Sequence, residues 1–298
     1  MHAYLELIRL PNLPSALGNI CLGAISAGLN RESIPSFLLT LMASALLYSS
    51  GMVWNDYFDA NLDKRERPER PIPSGRVSKS AAMRFACLLM VAAFVLILVV
   101  EWLHHYSGLS AGITLALIVM IFAYDAAGKN LPIGPMLMGS CRALNVLLGW
   151  AAVSPLITET AWMQAVVVGV YVCGITLFAR EEHTISSQTS LIFAAAIIAG
   201  SMVIAMIVPS SINGPIQAPW FYPYLVTGLG IFIFKPLLEA IRKPTPDMVQ
   251  KAVVSCLRKM IWLDAILASG VAGNIGFWIL LLLIPGMYLA RLRKLKAT

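Results

Sequence analysis

Residues 36–63 read SFLLTLMASALLYSSGMVWNDYFDANLD. Ser36 to Trp54 carries no charged side chain, and Asn55, Asp56, Asp59 and Asp63 follow at once. An uncharged apolar stretch of this kind suits an α-helix crossing about 30 Å of hydrocarbon at 1.5 Å per residue. The stretch lacks the strict alternation of an outer-membrane strand. The rest of the chain repeats the pattern. It has 298 residues, 58% hydrophobic and 12% charged, with a mean hydropathy of +0.77. Soluble domains carry about twice that share of charge, so one water-soluble core cannot hide this much apolar surface. Blocks near 12–29, 36–57, 80–100, 109–127, 133–153, 161–180, 190–208 and 221–240 read as spans, with one or two more in 247–290. The expectation is an all-α polytopic membrane protein of 9–10 transmembrane helices, forming a single domain over 1–298.

Charge distribution gives an orientation. The connection after the second span carries Lys64, Arg65, Arg67, Arg70, Arg76 and Lys79; later alternate connections carry Lys129, Arg180, Arg242, Lys243 and Lys251. The opposite loops hold little beyond Arg31, His104 and His105. By the positive-inside rule the N-terminus and the acidic motif face the cytoplasm of a bacterial-type inner membrane. The basic tail from Arg291 to Lys296 belongs on the same side, which requires an even number of spans and two separate helices in 247–290, joined around Gly270, Gly273 and Asn274. The N-terminus lacks the charged region and cleavage site of a signal peptide, so the first span reads as retained. The net charge of +7 suits anionic headgroups or an anionic substrate, and no nucleic-acid-binding motif is visible. The five cysteines have no C-x-x-C spacing, which points away from a disulfide framework or zinc.

Asp56, Asp59 and Asp63 are spaced i, i+3 and i+7, with Asn55 one turn before Asp59. On a continuing helix all four share a face. Converging carboxylates repel unless a cation neutralises them, and hard oxygen donors of this kind suit Mg²⁺. The plainer alternative is a solvated helix end. The basic, turn-rich loop Arg70-Pro-Ile-Pro-Ser-Gly-Arg76 favours the first reading, because acids for a metal beside cations for phosphate make a site for a metal-bound diphosphate.

The pattern N-D-x-x-D-x-x-x-D followed by R-P-I-P-S-G resembles the first signature of the UbiA superfamily of intramembrane prenyltransferases. The resemblance implies a ring of helices around a central cavity open to lipid, with Mg²⁺ as cofactor. It also implies transfer of an isoprenyl group from an isoprenyl diphosphate to an aromatic or lipophilic acceptor. On that basis Asp56, Asp59 and Asp63 are the candidate catalytic and metal-binding residues, and Asn55 and Arg70 join them at the diphosphate. The family's Tyr-then-Lys feature falls on Tyr124 and Lys129, one residue further apart than usual. Tyr124 also fits an interfacial belt, and Asp125 reads either as a further metal ligand or as an interfacial acid.

Two features depart from the family. The second Asp-rich motif should close the sixth span, but the chain has Arg180-Glu181-Glu182-His183 there. Glu181 is the candidate surviving ligand and Arg180 a substrate-binding candidate. Arg142, with Asn145 less than a turn away, falls inside the fifth span, where a lipid-facing Arg costs about 2.5 kcal/mol or more. Arg142 is therefore expected to face the cavity as an anion-binding group, against the alternative of an Arg capping interhelical carbonyls. Tyr-Asp-Ala-x-Gly-Lys, Gly-Pro-x-x-Met-Gly-x-Cys-Arg and the acid-poor second motif also resemble the UbiA-like EboC proteins. That branch implies the alternative of a non-catalytic or divergent protein that binds or helps export a specialised metabolite.

Overall fold

A computed structural model describes residues 2–103, 108–180, 187–208 and 219–285. Among these residues the secondary structure is entirely helical. The short α1 (His2–Leu7) leads through a 3-10 turn into α2 (Pro14–Ser26), and α3 (Ile34–Phe58) is extended by α4 (Ala60–Glu66). Then come α5 (Lys79–Leu103), α6 (Leu109–Ala126), α7 (Gly134–Ala151), α8 (Glu159–Ala179), α9 (Gln188–Ile207), α10 (Tyr222–Arg242) and α11 (Pro246–Ala272). Proline stands in the first turn of α2, α3, α7, α10 and α11. There its missing N–H removes no helical bond and its fixed φ favours the start.

Seven described helical segments are long and apolar enough to cross a membrane: α3, α5, α6, α8, α9, α10 and the run Pro246–Pro285. So many apolar helices in one chain make this a multi-pass membrane protein. The expected first and fifth spans are present as α2 and α7 but are not among the seven. Pro14 delays the start of α2, which has 13 residues, and α7 is diluted by Arg142 and Asn145. At the other end the chain breaks at Gly273, whose φ of 63° suits glycine. A 3-10 segment (Gly273–Leu282) then doubles back, bringing Gly276 against the backbone of Ala268 and Ser269. Two elements thus replace one long helix, as the sequence suggests; the end of the second and the basic tail lie outside the described residues.

The long helices pack in chain order, α2 on α3, α3 on α5, and onward to α10 on α11, and α11 returns to α2. The ring is closed. Across it α2 also packs on α7, and the contact is backbone-close. A Cβ on Gly149 would lie 2.3 Å from the Ile20 carbonyl oxygen, and one on Gly23 would lie 2.1 Å from that of Val146. Small residues permit such approach where van der Waals packing, not hydrophobicity, must join helices. Outward faces carry exposed Leu88, Val91, Phe193, Val203, Ile231 and Phe232, as lipid contact requires.

Candidate functional site

Six helices, α2, α3, α6, α7, α8 and α11, enclose a cavity of about 360 Å³. Its wall is largely apolar, with Leu47, Leu117, Ile121, Val172, Ile175 and Met260, and it includes the rings of Tyr48 and Tyr124. Tyr124 therefore faces the cavity. Asn55 and Asp125 stand at the acidic end, and Arg142 and Asn145 stand inside.

The acidic motif crosses a helix junction. Asp59 caps the end of α3, yet the hydrogen-bond ladder continues: the Asp59 N–H donates to the Asn55 carbonyl (3.0 Å) and the Asp63 N–H to that of Asp59 (2.8 Å). Each acid meets a cation. Arg70 donates to Asp63 at 2.7 Å and to Asp56 at 3.4 Å, so these two carboxylates converge on one guanidinium. Asp59 turns to Lys129. The expectation of three acids converging on one point is thus altered: among the described residues no three acid, His or Cys side chains are grouped to hold a metal ion. Asn55 donates to Asp125 at 3.4 Å. The donors present are nonetheless carboxylate and amide oxygens at one mouth, a set that fits Mg²⁺ once the cations turn to another anion.

Arg9 escaped the sequence reading. Its Nη2 lies 2.5 Å from Asp56 Oδ1, and the residue lines the cavity. It reaches there because the backbone turns left-handed at Arg9, with φ 47° and ψ 50°, a conformation that costs an L-residue about 1–2 kcal/mol. The turn is held from both sides. Leu7 is fully buried with Val53, Trp54, Ile72 and Val77, Tyr4 packs edge-on against Phe85 at 5.0 Å, and Glu6 pairs with Arg76. The only sequence signal was an Arg just before Pro11 and Pro14.

The 70–76 loop is turn-rich, as expected, and is tied by its own hydrogen bonds. Ser74 and Gly75 N–H donate to the carbonyls of Arg70 and Ile72, Gly75 has φ 75°, and Ile72 is buried. The loop points Arg70 inward and Arg76 outward to Glu6. Arg180 does not enter the cavity. It donates to the carbonyls of Lys129 and Leu131, clamping the turn that presents Lys129 to Asp59. Glu181, the candidate second-site ligand, lies outside the described residues.

Deeper inside, Asn145 ties three helices together, donating to the Ala16 carbonyl on α2 and accepting from Ser44 on α3, each at 2.8 Å. Arg142 donates to Asn19 Oδ1 at 3.3 Å and to Ser15 Oγ at 3.4 Å, with its guanidinium 5.7 Å from the Tyr48 ring centroid. Asn19 Nδ2 donates to both oxygens of the fully buried Asp264, at 3.0 and 3.1 Å. Asp264 was not singled out from the sequence, although a carboxyl group inside the apolar run Met260–Ala268 carries the same mark of cost as Arg142; what the sequence hides is its partner on α2. A Cβ on Gly18 would strike its Oδ2 at 2.5 Å, so glycine on α2 is what admits this carboxylate.

The sequence profile described as the UbiA prenyltransferase family matches residues 16–263. Digeranylgeranylglyceryl phosphate synthase of Sulfolobus acidocaldarius is 30% identical over 151 residues, 50% of this chain and 52% of that protein. The Natronomonas pharaonis enzyme of the same name is 34% identical over 149 residues, 50% and 51% of the two chains. The chain spans about half the length of the curated relatives it matches. Among solved structures, an apo UbiA homologue from Aeropyrum pernix superposes with a TM-score of 0.66 at 14% identity, over 89% of this chain and 98% of that one. A UbiA homologue from Archaeoglobus fulgidus bound to DMAPP and Mg²⁺ gives 0.62 at 10% identity, over 89% and 98%. At these identities the likeness shows the fold.

Proposed function

The chain belongs to the UbiA prenyltransferase family, and from that premise we propose that it moves an isoprenyl group from an isoprenyl diphosphate to a lipophilic or aromatic acceptor, with Mg²⁺. The observation that carries this reading is the cavity mouth, where Asp56, Asp59 and Asp63 pair with Arg9, Arg70 and Lys129. A mouth with matched charges can accept a metal-bound diphosphate by exchange: oxygens turn to the metal and cations to the phosphates, so neither set is left unpaired. The names of the archaeal relatives, and the DMAPP and Mg²⁺ bound by the Archaeoglobus homologue, support the same substrate class.

Asp56, Asp59 and Asp63, with Asn55 and Asp125 beside them, would hold Mg²⁺, which when bound stabilises the negative charge that builds on departing pyrophosphate. Arg9, Arg70 and Lys129 would bind the diphosphate oxygens, and Arg180 holds the turn that carries Lys129. The allylic C–O bond breaks with its electron pair leaving on pyrophosphate, and the acceptor's nucleophile bonds to the carbon and loses a proton. The apolar wall excludes the water that would otherwise capture the cation, and the faces of Tyr48 and Tyr124 stabilise positive charge. The basic connections support placing this mouth on the cytoplasmic side of a bacterial-type inner membrane, in one domain over 1–298. The end of α8, where Arg180 clamps a loop and aspartate is lacking, favours a second reading, a UbiA-like protein that binds a metabolite without turning it over.

The test is isoprenyl diphosphate binding by the protein in nanodiscs, with and without Mg²⁺, for wild type and Asp59→Asn. Binding that requires Mg²⁺ and drops at least tenfold in the variant is expected. Wild type that binds no chain length from C5 to C20 rules out transfer and leaves the metabolite-binding reading.

A further inference from the structure

The outer face of the ring carries cations that prenyl transfer does not use. Residues 235–259, from late α10 into α11, hold Lys235, Arg242, Lys243, Lys251, Arg258 and Lys259 against Glu239 and Asp247. All of these cations but Lys259 are exposed, and among the described residues none of them forms an ion pair. Three stand well inside their helices. Lys235 lies seven residues before the end of α10 at Arg242, and Arg258 and Lys259 lie twelve and thirteen residues after the start of α11 at Pro246.

Beyond these three, charge stops. Tyr222 to Phe234 on α10 carries no charged side chain, and Met260 to Ala272 on α11 carries only Asp264, which is fully buried. The two packed helices change from charged to apolar at one height, which marks the hydrocarbon boundary on this face. A side chain fixes the alignment. Pro236 cannot supply the N–H that would pair with the Phe232 carbonyl. Lys259 Nζ donates to that carbonyl at 2.6 Å instead, and to Ser255 Oγ at 2.7 Å. One ammonium N–H is left over. On the apolar side of this point Ile231, Phe232 and Trp262 are exposed, Trp262 one turn beyond Arg258. This end of the ring is also that of the acidic mouth. Gln188, at the start of α9, donates to the Ile241 carbonyl near the end of α10, and Arg180, at the end of α8, clamps the turn that carries Lys129.

We propose that the outward groove between α10 and α11 binds the headgroup of an anionic phospholipid of that leaflet. Lys235, Arg258 and Lys259 surround its phosphate, and its acyl chains lie along Ile231 and Phe232. The occupant follows from two needs met at one place. Unpaired cations at the edge of the hydrocarbon require an anion, and the bare apolar side chains beside them require hydrocarbon. A soluble phosphate satisfies the first need only. The site is separate from the central cavity: α11 turns Val253 and Met260 to that cavity, which none of the three cations lines.

The experiment titrates lipid onto the delipidated full chain in detergent, read by native mass spectrometry. The probes are dioleoyl phosphatidylglycerol and dioleoyl phosphatidylcholine, with inorganic phosphate as competitor. Wild type is compared with Lys235→Gln/Arg258→Gln, with Arg258→Gln alone, and with Lys64→Gln/Arg65→Gln, which removes the same charge from exposed positions on α4. A basic residue near the membrane surface contributes about fivefold to anionic-lipid affinity. Wild type is therefore expected to prefer the phosphatidylglycerol at least tenfold. That preference falls at least fivefold in Lys235→Gln/Arg258→Gln and less than twofold in the α4 control, and millimolar phosphate does not displace the lipid. A smaller preference in wild type overturns the proposal, as does a smaller fall in the groove variant. A control that falls as far as the groove variant reduces the effect to overall charge and also overturns it. Displacement by phosphate makes the site one for a soluble oxyanion and overturns the lipid. If the double variant does not fold, Arg258→Gln decides, and its preference must fall at least threefold.

Discussion

Replacing Asn19 with Leu tests whether the buried network inside the ring is held by charge. The amide is fully buried and donates to both oxygens of Asp264, which is fully buried as well, while its oxygen accepts from Arg142. A neutral hydrogen bond between membrane helices is worth about 0.6 kcal/mol on average. A bond to a charged group is worth about 1.5–3 kcal/mol, and removing one partner also leaves the other buried without compensation. The Arg142 guanidinium and a fully buried carboxyl group both lose a contact here, so Asn19→Leu is expected to destabilise by about 3 kcal/mol. The double variant Asn19→Leu/Asp264→Leu removes donor and acceptor together and should recover at least half of that, because apolar replacement of both partners is close to neutral. Reversible denaturant titration in mixed micelles, run as a double-mutant cycle, reads the coupling directly. A single-variant loss below about 1 kcal/mol, or a double variant as unstable as the sum of the singles, would refute the reasoning and make Asn19 an ordinary interhelical amide.

Three other outcomes follow from the same geometry. Arg9→Gln removes the 2.5 Å pair with Asp56, and because Arg9 is partly exposed the loss is near the low end, about 2 kcal/mol; a melting curve checks it, and isoprenyl diphosphate affinity should fall in parallel. Lys129→Met removes the partner of Asp59 and a phosphate cation, and is expected to weaken isoprenyl diphosphate binding at least tenfold, about 1.4 kcal/mol, with the fold intact by circular dichroism. Gly149→Ala pushes a methyl group into the Ile20 carbonyl and should cost about 1–3 kcal/mol; Gly112→Ala and Gly228→Ala, where a Cβ meets nothing within 4 Å, should be neutral or slightly stabilising in the same melts.

The helices and the mouth were legible in the chain itself. An apolar block long enough to cross a bilayer has one stable arrangement of its backbone, because unpaired N–H and C=O groups are intolerable in lipid. The prolines then mark where helices begin. Asp56, Asp59, Asp63, Asn55, Arg70 and Lys129 are close in sequence to span ends, and the structure does bring them to one mouth. Arg142 and Asn145 were legible by cost, since a polar group inside a span must face away from lipid.

Tertiary structure alone decided the partners. Arg9 meets Asp56, 47 residues away, only because a left-handed turn and the seat of Leu7 aim it. Asp264 joins Asn19 across 245 residues through the gap left by Gly18, and neither residue carries a local signal of the other. The division has a physical origin: hydrocarbon imposes helix and facing on each span one residue at a time. Which polar groups then meet depends on how closely two backbones approach, and that is set by glycines and turns far apart in the chain.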